Sequence, residues 1–300
     1  MDKHSRNATI PVCLKLIVTM IFWGGTFIAG RVIGRTLDPF CAAFLRFLIA
    51  SIFLLLLTWR YERHFPVLRK HEWLPVVLLG LTGIFLYNVL FFGGLKTVQA
   101  GRAAVIIAAN PVFISLLSGL FFKEKLRFFQ WAGILISVMG AVVVITRGQW
   151  RNLFDQGIQA GDWMIVGCVV CWVLYSIIGK RVMNGLSPRV TVLYSVLIGT
   201  AALAFPAFFR GLPAKAAAMG ALQWAGLFYL GFFGTVLGFV WYYEGVQKIG
   251  PSLAGQYISF VPVSAVILGA LLLGETVTVS LITGGLLVIG GVIIVNSFKR

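Results

Sequence analysis

Three of the amide residues that lie within long, mostly apolar runs are the first candidates for contact with a ligand. They are Asn88, Asn110 and Gln256, and a buried amide costs free energy unless it finds hydrogen-bond partners. Aromatic side chains occur in the same runs, and aromatic faces with a few hydrogen-bonding groups are typical of a small-molecule pocket. We therefore predict a substrate-binding site lined by Trp23, Tyr87, Asn88, Asn110, Trp172, Tyr175 and Gln256.

Two charged residues, Arg46 and Glu244, are candidates for a charge role. Arg46 lies within the apolar run 38–59, and an arginine at the centre of a membrane helix costs about 2.5–3.5 kcal/mol to insert. It holds a substrate carboxylate, pairs with backbone carbonyls, or snorkels to the membrane surface. Glu244 closes the run WYYEG. It either has a special role such as carrying a proton or pairs with Lys248, four residues later.

Pro111 and Pro262 are predicted hinges. Each lies in the middle of an apolar run and removes a backbone N–H, which a membrane protein tolerates where the freed carbonyl groups line a water-filled cavity. Glu124 and Glu275 follow these prolines at the same spacing. An acid at the C-terminal end of a helix opposes the helix dipole. We therefore expect each to cap the N-terminus of a neighbouring helix, in preference to relaying protons.

Enzyme motifs are absent from the sequence. It contains no Gly-Lys-Ser/Thr phosphate loop, no His-Glu-x-x-His and no Gly-x-Ser-x-Gly. His4, His64 and His71 lie in terminal or hinge segments, and the CxxC pair Cys168 and Cys171 has no second pair or nearby histidine. We predict no catalytic residue, no metal site and no cofactor; a membrane-embedded enzyme is the alternative class.

The composition is that of a polytopic helical membrane protein. Apolar residues make up 59% and charged residues 11% of the chain, with a mean hydropathy of +0.95, whereas about 25% of residues are charged in a soluble domain. The net charge of +16 is scattered in small groups between apolar runs. It therefore predicts membrane orientation and contact with anionic headgroups, and no nucleic-acid binding. The expected partners are the lipid bilayer and a small-molecule substrate.

Ten apolar runs have the length of about 20 residues that a bilayer-spanning helix needs. They are 12–30, 38–59, 73–94, 100–121, 128–146, 161–180, 188–209, 222–244, 251–273 and 279–297. Lysines and arginines number 16 on the side that holds both termini and 8 on the other. Because cytoplasmic loops carry the excess of positive charge, we predict cytoplasmic termini, in a bacterial-type inner membrane.

The chain repeats itself at an interval of about 150 residues. At an offset of 151 the matched residues are Pro111 with Pro262, Glu124 with Glu275, Gly133 with Gly284 and Gly140 with Gly291. We predict two domains, residues 1–149 and 150–300. Each contains five spans, an odd number, so the fold class is all-α with ten transmembrane helices in two inverted five-helix repeats. The paired glycines predict close helix contact, within a monomer or between two copies in a homodimer.

The repeated Pro-x12-Glu-x8-Gly pattern and the run FWGGTFIAGR at Phe22–Arg31 resemble the EamA family of the drug/metabolite transporter superfamily, over nearly the whole chain. The resemblance implies export of small metabolites, commonly amino acids and sometimes toxic cations; aromatic amino-acid exporters of the YddG type are similar. We expect alternating-access export of an aromatic or other neutral amino acid, with export of drugs or cations as the alternative.

Energy coupling is predicted from the absence of titratable groups at mid-membrane. No histidine lies within a predicted span, and no acid lies near the middle of one. A proton-driven transporter needs such a group, exposed to the two sides alternately. We therefore expect flux down the substrate gradient without an obligatory ion, with Glu244 as the exception to test.

Overall fold

The structure is a computed structural model that describes residues 3–63, 66–121, 128–146, 148 and 159–297. Within those ranges all regular structure is helical. The first part contains α1 (Lys3–Thr36), α2 (Pro39–Glu62), α3 (Lys70–Leu79), α4 (Tyr87–Leu95), α5 (Ala100–Ile107), α6 (Asn110–Phe121) and α7 (Phe128–Ile145). The second contains α8 (Ala160–Val182), α9 (Pro188–Phe209), α10 (Leu212–Ala217), α11 (Ala221–Tyr229), α12 (Gly238–Ile249), α13 (Pro251–Gln256), α14 (Val261–Leu273) and α15 (Val279–Ser297).

Eight helical segments among the described residues are long and apolar enough to cross a membrane. They are Pro11–Thr36, Pro39–Glu62, Lys70–Leu95, Ala100–Leu117, Ala160–Val182, Pro188–Phe209, Ala221–Ile249 and Leu253–Leu273. The other two predicted spans contain the shorter apolar helices Trp131–Val144 and Val279–Ile294. Helix length therefore supports eight crossings, and ten crossings is a proposal taken up below.

The starts of α2 and α9 are encoded in the same way. Asp38 precedes Pro39, and its side chain accepts a hydrogen bond from the backbone N–H of Phe40 at 3.0 Å. Ser187 precedes Pro188, and its hydroxyl accepts from a backbone N–H in the first turn of α9. The N–H that proline lacks would have no hydrogen-bond partner in the first turn of a helix. The side chain of the residue before the proline accepts a hydrogen bond from another first-turn N–H that would otherwise have no partner.

Two spans contain π-helical turns, which the sequence did not predict. The segment Gly80–Leu86 joins α3 to α4, and the segment Leu230–Leu237 joins α11 to α12. A methyl group on Gly80 would lie 2.9 Å from the carbonyl oxygen of Ser195 in α9, and one on Gly231 would lie 2.8 Å from that of Arg46 in α2. Each π-segment thus packs tightly against a helix from the other part of the chain.

The helices break next to the two predicted hinge prolines. After Ile107 the chain forms a turn, and α6 starts at Asn110, one residue before Pro111. Likewise, a 3₁₀ turn over Tyr257–Phe260 separates α13 from α14, whose second residue is Pro262. The reason is the same in both, since a proline cannot donate the hydrogen bond that would continue the preceding helix.

The glycines of α7 and α15 face each other. A methyl group on Gly140 would lie 2.6 Å from the carbonyl oxygen of Gly284, and one on Gly291 would lie 2.5 Å from that of Gly133. The residue order is reversed between the helices, so they run antiparallel. The close contact predicted for these glycines is therefore made within one chain.

Candidate functional site

A small cavity of about 30 Å³ lies at the centre of the described helices. Its walls come from α1, α2, α4, α5, α6, α8, α12, α14 and the 3₁₀ turn, so the interrupted spans and the π-containing spans all contribute. The lining residues are Trp23, Thr26, Phe27, Arg46, Tyr87, Phe91, Ile107, Asn110, Trp172, Phe239, Ile258 and Val261. A cavity of this size accommodates water, and an amino acid needs more space than it provides.

Aromatic rings in contact with one another form most of the cavity wall. Trp172 lies at the centre, with ring centroids 5.1 Å from Trp23, 5.5 Å from Tyr87 and 5.2 Å from Phe239. The indole N–H of Trp23 donates to the carbonyl oxygen of Gly234 at 2.9 Å, in the second π-segment. That bond fixes the ring, because it satisfies the one polar group of a buried indole.

Three buried tyrosines lie beyond Trp172 toward the C-terminal ends of α8 and α12. Tyr175 stacks on Tyr243 with ring centroids 5.0 Å apart, and Tyr243 donates its hydroxyl to the carbonyl oxygen of Tyr175 at 2.9 Å. The hydroxyls of Tyr242 and Ser176 lie 3.2 Å apart. These contacts lie on the side of Trp172 that the charge distribution predicts to be cytoplasmic.

Arg46 points into the protein and is only 3% exposed. Its Nε donates to Thr235 Oγ1 at 3.0 Å, and its Nη1 donates to Asn88 Oδ1 at 2.9 Å. No carboxylate of a described residue forms an ion pair with it. Of the alternatives weighed from the sequence, backbone pairing and snorkelling are not observed, so the cavity contains a positive charge held by neutral groups.

Asn110 is the first residue of α6 and is 1% exposed. Neither Oδ1 nor Nδ2 of its amide has a hydrogen-bond partner among the described residues. A buried amide without partners costs free energy, so its presence in the wall of a cavity points to a ligand. Val261, the first residue of α14, also lines the cavity. The first residues of α6 and α14 therefore line the same cavity as Arg46.

The structure brings together four of the seven predicted binding residues, Trp23, Tyr87, Asn110 and Trp172. Asn88 lies behind the wall, where it holds Arg46. The hydroxyl of Tyr175 lies 3.1 Å from Ser195 Oγ, and its ring belongs to the tyrosine stack. Gln256 ends α13, and its side chain lies outside the described part of the structure.

Glu244 and Glu275, two of the acidic residues singled out in the sequence, do not line the cavity. Glu244 pairs with Lys15 of α1 at 2.7 Å, so its observed partner is not Lys248. Glu275 accepts from the backbone N–H groups of Ala100 at 2.9 Å and Gly101 at 3.2 Å, which is the predicted capping of a neighbouring helix. Glu124 falls outside the described residues.

Three phenylalanines of the cavity wall were missed from the sequence. Phe27 follows Trp23 by four residues and Phe91 follows Tyr87 by four. Residues at that spacing share a helix face, so this signal was available. Phe239 gave no such signal, because the π-segment before it changes the register of the helix.

Neither the cysteines nor the acids form a metal-ligand cluster in the described part of the chain. Cys168 and Cys171 are both buried and carry free thiols. Cys168 lies with its sulfur 3.4 Å from the carbonyl oxygen of Tyr87, which is a packing contact next to the cavity.

The family model described as "EamA-like transporter family" matches this sequence twice, over residues 10–146 and 159–297. The "Uncharacterized transporter YyaM" of Bacillus subtilis (strain 168) is 30% identical, with 97% of this chain and 95% of that protein covered. A "Probable terminal-alkyne amino-acid exporter" of Streptantibioticus cattleyicolor is 28% identical over 94% of this chain and 92% of that one. A solved crystal structure at 22% identity superposes with a TM-score of 0.69 over 97% of both chains, so the fold is shared.

Proposed function

This chain belongs to the EamA-like transporter family, and on that basis we propose that it exports an aromatic or other neutral amino acid across a bacterial-type inner membrane by alternating access. Its place among membrane transporters follows from the family. The substrate is inferred from the cavity. An amino-acid exporter among its relatives supports the same substrate class.

We propose that the fold consists of ten crossings in two inverted repeats, residues 1–149 and 150–300. The two separate matches to one family model support the duplication. The antiparallel contact of α7 with α15 and the exchanged packing of the π-segments support the inversion. Arg46 and Ser195, which these π-segments approach, are themselves 149 residues apart. In such folds the substrate binds between the halves near the midplane.

The proposed orientation has both termini in the cytoplasm, as the charge count of the sequence supports. The tyrosine stack would then lie on the cytoplasmic side of Trp172. A monomer is the proposed working unit, because the glycine faces of α7 and α15 cover each other within one chain.

The charge of the cavity favours an amino acid over the cationic compounds that are the alternative substrates. Arg46 is the one charged residue among the described lining residues, and no described acid lines the cavity to neutralise a cation. A desolvated cation beside a guanidinium group is repelled at close range. An aromatic amino acid presents its carboxylate to Arg46 and its ring to the tryptophan and tyrosine side chains of the cavity wall.

The unpartnered amide of Asn110 is the observation that carries this proposal, since it is a polar group poised for a ligand in an aromatic cavity. The test is uptake of labelled phenylalanine, tyrosine and tryptophan into vesicles reconstituted with the protein. Asn110→Ala should lower the apparent affinity about 10-fold, the effect of losing one good hydrogen bond. The matched control, Asn184→Ala, removes an exposed amide and should leave transport unchanged.

If the vesicles transport cationic dyes and no amino acid, the protein is an exporter of drugs or cations and the proposal is wrong. Appearance of a chemically altered product would favour an enzyme. If Asn110→Ala transports normally while amino acids do move, the substrate binds elsewhere in the protein.

A further inference from the structure

The two groups that hold Arg46 are both neutral, and each is bonded to a π-segment. Asn88 follows the first π-segment, and Thr235 lies in the second. The amide of Asn88 donates to the carbonyl oxygens of Gly83 at 3.3 Å and Ile84 at 3.0 Å, within the first π-segment. These bonds use its N–H groups, so its oxygen is oriented toward the guanidinium.

Thr235 is oriented in the same way. Its hydroxyl donates to the carbonyl oxygen of Leu230 at 3.0 Å, so that the oxygen lone pairs face Arg46 Nε. Widened π-turns of this kind occur frequently at functional sites. The guanidinium is thus fixed in position without a carboxylate, and its full charge is preserved for another group.

The third nitrogen of Arg46, Nη2, forms no hydrogen bond with a described residue, although Arg46 lines the cavity. Asn110, with its unpartnered amide, lines the same cavity. A guanidinium nitrogen and an amide N–H are groups that bind a carboxylate. For an ammonium group the described lining residues offer no acid, only the unpartnered Oδ1 of Asn110 and the faces of the aromatic rings.

Resting on the proposed transport of amino acids, we propose that Arg46 and Asn110 form a carboxylate subsite, that Asn88 and Thr235 position its guanidinium, and that the carboxylate is the group the substrate must have. The ammonium group is dispensable. The ligand class is therefore aromatic monocarboxylates, of which aromatic amino acids are a subset. A buried charge left without a partner is costly, so a ligand that lacks a carboxylate gains little from this cavity.

Three compounds with the same aromatic ring distinguish the contribution of the carboxylate from that of the ammonium group. They are phenylalanine, 3-phenylpropanoate, which lacks the amine, and phenethylamine, which lacks the carboxylate. Because the last two cross bilayers unaided, binding is measured as thermal stabilisation of the purified protein in detergent and as competition against transport of labelled phenylalanine. We expect 3-phenylpropanoate to match phenylalanine within about 3-fold and phenethylamine to be weaker by about 30-fold or more, the effect of losing a buried charged partner.

Asn88→Asp tests the positioning with a side chain of the same shape. The new carboxylate would lie against Arg46 Nη1 and neutralise it, so stabilisation by 3-phenylpropanoate should be lost. Because aspartate lacks the N–H groups that Asn88 gives to Gly83 and Ile84, binding is compared on protein first shown to be folded and monodisperse. Asn184→Asp adds an acid at an exposed turn and should bind normally. Arg46→Lys keeps the positive charge but loses the planar set of N–H donors of the guanidinium, so 3-phenylpropanoate should still bind, with lower affinity.

Equal stabilisation by phenethylamine and 3-phenylpropanoate, or undiminished binding of 3-phenylpropanoate to Asn88→Asp, would overturn the carboxylate subsite while leaving amino-acid transport intact. Conversely, 3-phenylpropanoate could stabilise the wild-type protein and not Asn88→Asp when no amino acid is transported. That result would support the carboxylate subsite and contradict the proposed transport of amino acids.

Discussion

Gly140 and Gly284 lie in mutual backbone contact across the interface of α7 and α15. A methyl group on either would lie within 2.7 Å of the carbonyl oxygen of the other. Small residues allow membrane helices to approach this closely, and packing between them replaces the hydrophobic effect as the force that holds them together. This interface does not contribute to the cavity wall, so it can be altered without changing the binding site.

Gly140→Val should destabilise the protein by about 1–3 kcal/mol, as expected for overpacking a close contact. The measurement is the midpoint of thermal unfolding in detergent. Gly290→Ala is the matched control, because a methyl group there would meet nothing within 4 Å; it should be neutral or slightly stabilising. Equal behaviour of the two variants would contradict the observed contact.

Glu275→Ala should be more damaging than its partly exposed location suggests. The carboxylate accepts from Ala100 and Gly101 and lies 3.7 Å from Arg31, which is buried. Its removal leaves that arginine without its acid, at a cost of about 3 kcal/mol for breaking a buried pair. Thermal unfolding should show the loss, with a smaller effect for Glu275→Gln and none for the exposed neighbour Thr276→Ala. If Glu275→Ala unfolds at the same temperature as the wild-type protein, capping of α5 by Glu275 does not contribute to stability.

Glu244→Gln should leave downhill transport almost unchanged. Glu244 pairs with a partly exposed lysine, Lys15, and such pairs contribute at most about 1 kcal/mol. We expect substrate flux in vesicles without a pH or sodium gradient, insensitive to collapse of either. Uphill accumulation driven by an imposed proton gradient, abolished by Glu244→Gln, would instead identify Glu244 as the proton carrier.

Pro111→Ala should slow the transport cycle and leave binding intact. Restoring the backbone N–H allows α5 to continue into α6 and stiffens the break beside the cavity. Turnover should fall while the apparent affinity for phenylalanine changes by less than about 3-fold, roughly 0.7 kcal/mol. Pro206→Ala, within the uninterrupted α9, provides the comparison. Equal turnover in both variants would mean that the break is not a hinge.

The helical fold and part of the cavity wall could be predicted because their signals are local. Apolar runs have the length of a bilayer crossing, prolines interrupt helices, and an amide within an apolar run needs a partner. Asn110 and Trp23 were found in this way. The repeat also indicated Glu275 as a helix cap, since the same residue at the same spacing in both halves suits a structural role.

Contacts between distant segments could not be predicted from those signals. Lys15 and Glu244 are 229 residues apart, whereas the sequence suggested only the local partner Lys248. The glycines of the π-segments pack closely against helices that are distant in the sequence, and no local sequence pattern indicates such contacts. For the same reason Asn88 was assigned to the cavity wall, although the widened turn directs its amide to Arg46.

A fixed guanidinium with neutral neighbours has an electrical consequence for the transport cycle. In the proposed export Arg46 stays with the protein, so each substrate molecule would carry only its own net charge across the membrane. An aromatic amino acid moves no net charge, whereas a monocarboxylate without an amine carries one negative charge outward. An interior-negative potential favours that movement by about 2.3 kcal/mol per 100 mV, or roughly 50-fold in the concentration ratio. The same cavity would thus let the concentrations of the zwitterion become equal on the two sides, whereas the membrane potential would drive the monocarboxylate out of the cell.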